Sequence, residues 1–337
     1  MTSRRKLLTL LAASPTAMLS EAALAQTTRA ARAAAAPPPW PTQPLKILVG
    51  FPAGSTPDLA ARSISDALSR QLGQPVVVEN KPGASGNIAA DLVAKATDNH
   101  TLGVLINGNL TVAKMLNPAV PFDPAKSFTP LSLIGVAPLL MVVVGNATGN
   151  NGFELVQWAR NLGDKGNYGT PGNGTVGHLG MELIKSKTGI TALHVPFPGN
   201  PQVINALLGG QLQLALLPPG LAAPHLKTGK LKAVGITSSG RSSLVPDLPT
   251  LRAADVAGAD FEIWTAAVAP ASMPKPIAAR LSAALVEAIR SAEVRQRLLN
   301  VGWQAVGTSP EGLTNRMKAD TALLGGIIQM RGITAAS

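Results

Sequence analysis

Three short segments of this 337-residue chain carry the residue types that hold small anions. They are AGSTPD at 53–58, NGN at 107–109 and PGNGT at 171–175. Each places glycine and small polar residues between an apolar run and a helical pattern. Glycine lets the backbone approach a bound group closely. The first turn of a helix offers unpaired N–H groups and a partial positive charge. Serine and threonine add hydroxyl donors. Together these groups can hold a carboxylate without Lys or Arg. A single loop of this kind reads equally well as a capped turn. Three of them, one in the second half of the chain, favour binding. His178 begins a helix beside PGNGT, where it could touch a ligand or serve a structural or capping role. Asp58 could act as a general base, but at the second position of a helix it more simply complements the dipole.

Other chemistries do not assemble. No Gly-Lys-Ser/Thr follows the first loop, so it is not a phosphate-binding P-loop. GASG at 83–86 is not a G-x-S-x-G nucleophile elbow. His100, His178, His194 and His225 have no metal-ligand spacing, and there are no cysteines. No Ser-His-Asp set can be assembled. No catalytic residue, metal or cofactor is expected.

The elements that position the loops alternate. LKILVG is a buried strand pattern, followed by a helix over 57–72 that Thr56 can cap and Gly73 can stop. PVVVEN is a strand, PGASGN a glycine loop, 88–96 a helix and TLGVLI a strand ending at NGN. PLLMVVV (138–144) is extended. A helix at 152–162, the strand NYGT and a helix over 176–187 follow. The strand ALHVPF, the helix PQVINALLGG and the strands LQLALL and LKAVGIT come next. FEIWTAAVAP (261–270) is extended, and the tail is helical over 276–291, 293–300 and 310–330. Strand–helix alternation predicts an α/β fold with largely parallel sheets. Two such blocks joined by extended segments predict two lobes, 44–143 plus 266–337 and 144–265. Ligands in such folds sit beyond the carboxyl ends of the strands, where these loops fall.

The first residues read as an address. Arg4, Arg5 and Lys6 precede an apolar stretch over 7–19, and Ala23-Leu24-Ala25 is a small-x-small cleavage site. Residues 1–25 therefore read as a signal peptide cut before Gln26. Ser3-Arg4-Arg5 with Leu7-Leu8 is similar to a twin-arginine signal. Residues 26–43, rich in Ala and Pro, read as an extended leader. An exported, soluble product is expected. The formal charge is +11, but the basic residues are dispersed and aromatics make up only 3%. That pattern disfavours nucleic acid and carbohydrate and suits a small anion.

Several blocks carry a family resemblance: FPAGSTPDLAAR, VENKPGASGN, TLGVLINGN, NYGTPGNGTVGHL and HVPFPGNPQVINALLGGQL. In order, from Pro44 to about Ile333, the chain resembles the tripartite tricarboxylate transporter substrate-binding proteins, often called Bug receptors. The resemblance implies a periplasmic solute-binding protein of two α/β lobes that close on a small carboxylate. It implies delivery to membrane permease subunits and a monomeric state. It also implies that the first loop and the GNGT loop grip one carboxylate through backbone N–H groups, hydroxyls and ordered water. On this chain the implied ligand residues are Ala53, Gly54, Ser55, Thr56, Asp58, Thr170, Gly172, Asn173, Gly174 and Thr175. Asn107 and Gly108 match a neighbouring loop, and His178 matches a His-Leu pair.

The chain departs from that pattern at Ser55 and Pro57, at Phe197-Pro198-Gly199 and at Leu217-Pro218-Pro219. These changes are expected to make the distal half of the pocket less polar. An exported α/β enzyme acting on a small acid, or a sensory receptor built on the same lobes, are the alternatives.

Overall fold

In the computed structural model, which describes residues 40–334, the chain enters the fold through strand β1 (Leu45–Val49). The expected signal peptide and most of the leader lie outside the described residues. The last leader residues are tied down just before β1, where Thr42 donates its N–H to His100 Nε2 at 3.2 Å. Helix α1 (Thr56–Leu72) follows, with Ser55 rather than Thr56 at the N-cap position and no side-chain cap bond from it. Pro57 pre-sets its first turn, and Gly73, at φ +69°, ends it by donating to the Ser69 carbonyl. Then come β2 (Val76–Asn80), α2 (Asn87–Ala94), β3 (Thr101–Ile106), and the short helices α3 (Asn107–Thr111) and α4 (Ala113–Leu116).

A strand the sequence reading did not include, β4 (Phe128–Pro138), comes next, and the extended segment expected at 138–144 is β5 (Leu140–Val144), with Pro138 closing β4. Next come α5 (Gly152–Asn161), β6 (Asn167–Thr170), α6 (Val176–Thr188), β7 (Leu193–Pro196), α7 (Asn200–Leu208) and β8 (Leu214–Leu217). Helix α8 (Pro219–Lys227) was hidden by its prolines, although Pro219 suits a first helical turn. The chain ends with β9 (Leu231–Ile236), β10 (Glu262–Pro270), α9 (Lys275–Arg290), α10 (Ala292–Asn300), β11 (Gln304–Ala305) and α11 (Pro310–Arg331). Among the described residues no helix is long and apolar enough to cross a membrane.

The strands form two mixed sheets, ordered β11-β4-β10-β3-β1-β2 and β7-β6-β8-β5-β9. Parallel pairing is less extensive than the strand–helix alternation suggests. It is confined to β3-β1-β2 in the first sheet and to β7-β6-β8 in the second. The remaining pairs are antiparallel: β10 with β3 and β4, β11 with β4, and β5 with β8 and β9. The chain changes sheet at Leu139 and returns between Ile236 and Glu262. Thr237 ties the two crossings together. Its Oγ1 accepts from Leu139 N–H at 2.9 Å and donates to the Phe261 carbonyl at 2.7 Å, wholly out of solvent.

Each sheet has its own apolar core. Helix α11 serves both. Leu313 and Met317 pack with the core of the first sheet, while Leu324, Ile327 and Ile328 pack with Leu179 and Tyr168 of the second. Gly325-Gly326 lies in the second half of this helix, beside the residues that reach the second core. The parallel strands β1, β3 and β6 all end at a loop that starts a helix, and those three loops face one another.

Candidate functional site

The first loop is built on the carboxyl end of β1. Gly54 turns at φ +78°, a conformation that favours glycine. Asp58 locks the turn from inside the helix. Its Oδ2 accepts from Gly54 N–H at 2.9 Å, and Arg62 Nε and Asn80 Nδ2 donate to the same carboxylate at 3.0 and 2.9 Å. Burial by itself would raise the Asp58 carboxyl. The bonds from Arg62, Gly54 and Asn80 outweigh it and hold the group below the usual carboxylate range. Every donor of this network is accounted for within the lobe, so Asp58 braces the loop and does not line the cavity. The same holds for Ala53 and Gly54, which shape the turn behind it. Ser55 differs. It is 2% exposed, and its Oγ has no hydrogen-bond partner.

The second loop, at the carboxyl end of β6, has a neutral brace. Gly172 and Gly174 adopt φ +122° and +75°. Thr170 Oγ1 accepts from Gly172 N–H at 3.2 Å and contacts His194 Nε2 at 2.7 Å. Thr175 Oγ1 donates to the Gly172 carbonyl at 2.7 Å, so its hydroxyl closes the turn instead of capping α6. Gly174 N–H donates to His178 Nδ1 at 3.1 Å. The His178 ring stacks on His194 with centroids 4.1 Å apart, and His194 stacks in turn on Tyr168. Burial pushes the His178 imidazole down to about 4, with Lys185 acting in the same direction and Glu182 opposing. His178 is therefore neutral at pH 7 and supports the glycine turn from behind. Thr170 and His178 both lie outside the cavity lining.

The two loops meet at a cavity of ≈ 50 Å³. Ser55, Thr56 and Pro57 come to it from the start of α1, and Thr175, Val176 and Gly177 from the start of α6. Two helix N-termini, one from each sheet's lobe, thus aim at one small space. Asn107, at the end of β3, lines it too and donates through Nδ2 to the Glu262 carbonyl. Gly108, Gly172, Asn173 and Gly174 line a neighbouring, larger cavity of ≈ 540 Å³. Close backbone approach separates the two spaces. A Cβ on Gly108 would stand 2.8 Å from the Gly174 carbonyl oxygen of the opposite lobe. Among the described residues no group of His, Asp and Glu is placed to hold a metal ion.

Sequence reasoning missed Asn200 and the cavity walls. Asn200 opens α7, is 8% exposed and lines the small cavity. Its Nδ2 donates to Thr56 Oγ1 across the lobes at 3.3 Å, and its Oδ1 has no partner. Pro198-Gly199 before it is a helix-start signal, but nothing in that signal says which way the amide points. Trp264 and Trp303 also line the cavity. Their indole N–H groups are used elsewhere, by Asp320 Oδ2 and the Thr56 carbonyl, so only ring surface faces inward.

Known proteins resemble this arrangement along most of the chain. The sequence profile described as tripartite tricarboxylate transporter family receptor matches residues 60–333. A Pseudomonas sp. protein from the tcbD–tcbE intergenic region is 32% identical over 84% of this chain and 84% of its own. BugT of Bordetella pertussis is 28% identical over 87% of this chain and 90% of its own. Among solved structures, MatC of Rhodopseudomonas palustris with bound malate gives a TM-score of 0.80 at 31% identity, covering 86% of this chain and 100% of that one. An R. palustris protein solved with adipate gives 0.83 at 29% identity, covering 88% and 99%. Continuous similarity in sequence and fold, with the profile matched over most of the length, shows that the chain belongs to the tripartite tricarboxylate transporter receptor family.

Proposed function

We propose that this receptor captures a small carboxylate in the periplasm and hands it to the membrane permease subunits of a tripartite transporter, acting as a monomer and without catalysis. One observation carries the proposal. Two helix N-termini from different lobes converge on a single cavity, which is also lined by Ser55, whose buried hydroxyl has no hydrogen-bond partner. A helix N-terminus attracts an anion through free N–H groups and its dipole, and two of them can share the two oxygens of one carboxylate. Ligands in the related structures, malate in MatC and adipate in the second R. palustris protein, support the same reading.

In this reading Ser55, Thr56 and Thr175 present the contacts, while Gly54, Asp58, Thr170 and His178 hold the turns. The lobes part at Leu139 and between Ile236 and Glu262, a few residues from the expected bounds at 143 and 265, and open and close about these paired crossings. Residues 1–25 direct export.

Isothermal titration of the mature protein against a carboxylate panel, with the ligand recovered afterwards, tests the assignment. Saturable binding with unchanged ligand is expected; chemical turnover of the ligand would overturn it. Deleting residues 1–25 is expected to strand the protein in the cytoplasm, as fractionation would read; continued export would remove the signal assignment.

A further inference from the structure

Resting on that reading, we infer that the site selects monocarboxylates with an uncharged, largely apolar body over dicarboxylates and tricarboxylates. Beyond the helix N-termini, the cavity wall includes Phe51, Ile106, Leu216, Ile263, Trp264 and Trp303. Among the described residues no Lys, Arg, His, Asp or Glu lines it. Both indole N–H groups are already engaged, Trp264 with Asp320 Oδ2 and Trp303 with the Thr56 carbonyl. The remaining polar side chains are mostly engaged. Asn107 bonds the Glu262 carbonyl, Thr175 bonds the Gly172 carbonyl, and Thr56 accepts from Asn200. Of the fully buried side-chain atoms in this lining, Ser55 Oγ and Asn200 Oδ1 have no hydrogen-bond partner.

The helix N-termini supply N–H donors and positive potential at one place, enough for one carboxylate. A second carboxylate would lie against aromatic and aliphatic surface with no cation to offset its desolvation. Burying an unpaired charge in such surroundings is strongly unfavourable. The Asn200 Oδ1 acceptor adds repulsion for a second anion and would suit a hydroxyl or N–H on the ligand body. The neighbouring cavity offers amides from Asn87, Asn109 and Asn117 but likewise no charged side chain among the described residues.

Titration of the mature wild-type protein with butyrate, 3-hydroxybutyrate and benzoate, against succinate, malate and citrate, tests the inference. At least one monocarboxylate is expected to bind about tenfold or more tighter than every multi-acid, since each tenfold step needs little interaction energy. Ile263→Lys, which places a cation on the cavity wall, should move preference toward succinate. If succinate, malate or citrate binds wild type more tightly than all three monocarboxylates, the selectivity inference is overturned and the carboxylate receptor stands. If none of the six acids binds, the receptor assignment falls and the inference falls with it.

Discussion

The loop at 53–58 and the loop at 170–175 end in helix N-termini at one cavity, yet different groups stand behind them. The first is braced by charge: Asp58 collects Gly54, Arg62 and Asn80. The second is braced by one buried neutral imidazole: His178 holds Gly174 and stacks on His194, which Thr170 and Tyr168 contact in turn. A backbone turn can therefore be held in an anion-binding shape either by an ion pair at its rim or by a buried imidazole stack. The two supports should fail under different conditions. The charged brace has an exposed partner, since the Arg62 side chain is 51% exposed, so screening weakens it. The neutral brace is buried, so it is vulnerable to protonation.

The largest effect is expected where the two loops touch. Gly108→Val would drive a side chain into the Gly174 carbonyl of the opposite lobe, 2.8 Å from the position of its Cβ. Backbone on both sides cannot yield as a flexible side chain can. Affinity for carboxylate should fall by about 100-fold or more while far-UV circular dichroism is retained, because the clash is confined to the contact between the two loops. Unchanged affinity would show that closure does not bring these loops together.

The second effect separates the braces by pH. Unfolded, His178 titrates near its ordinary value of 6.5; folded, it is pushed down to about 4. Its contribution to stability is thus complete above about pH 6.5 and is lost as pH falls toward about 4, by up to roughly 3 kcal/mol. His178→Gln should flatten the decline of Tm across that window. Asp58, lowered from the carboxylate range, keeps its contribution until the pH falls through its unfolded value and below. Asp58→Asn should leave the slope between pH 6.5 and 5 as in wild type. Equal slopes for wild type and His178→Gln would remove the imidazole from the account.

A smaller effect is expected from Asp58→Asn at neutral pH. It removes an ion pair with a half-exposed arginine but keeps an acceptor for Gly54. Denaturant unfolding should show a loss of about 1–2 kcal/mol, and carboxylate affinity should weaken by about tenfold as the first turn loosens. A loss that vanishes in 1 M salt would assign it to charge, whereas a salt-independent loss would assign it to the hydrogen bonds.

The smallest effect lies away from both loops, in the helix that packs on both cores. Nothing stands within 4 Å of a Cβ built on Gly326, so no steric demand keeps glycine there. Gly326→Ala should raise stability by about 0.5–1 kcal/mol through backbone entropy. If it also weakens binding, the helix must flex during closure; unchanged affinity would confine the motion to the paired crossings at Leu139 and Phe261.

Much of this architecture was legible in the residues. Pro57, Gly73 and the apolar spacing of Ile64, Ala67 and Leu68 mark α1, and similar signals mark α6, because caps and periodicity are local properties. The positions of the loops followed from strand–helix alternation. The orientation of side chains within them did not. Asp58 and His178 have the chemistry to meet a ligand, but each turns back to its own loop, and a residue four places along a helix reads the same either way. The strand β4 was hidden because Pro130, Pro138, Ser132 and Gly135 interrupt it, so it shows neither a continuous apolar run nor a clean alternation. Asn200 and the tryptophan faces enter the cavity only through the packing of one sheet's lobe against the other, a long-range arrangement that no local pattern encodes. The same is true of α11, whose first half suits one core and whose second half suits another.

The most direct test of the shared grip is a crystal structure of the mature protein with the carboxylate that titrates most tightly. The account predicts one carboxylate group between the starts of α1 and α6, within hydrogen-bond distance of Ser55 Oγ and of backbone N–H groups at 175–177. A carboxylate held by one lobe alone, or seated in the larger cavity beside Asn117 and Pro198, would contradict it.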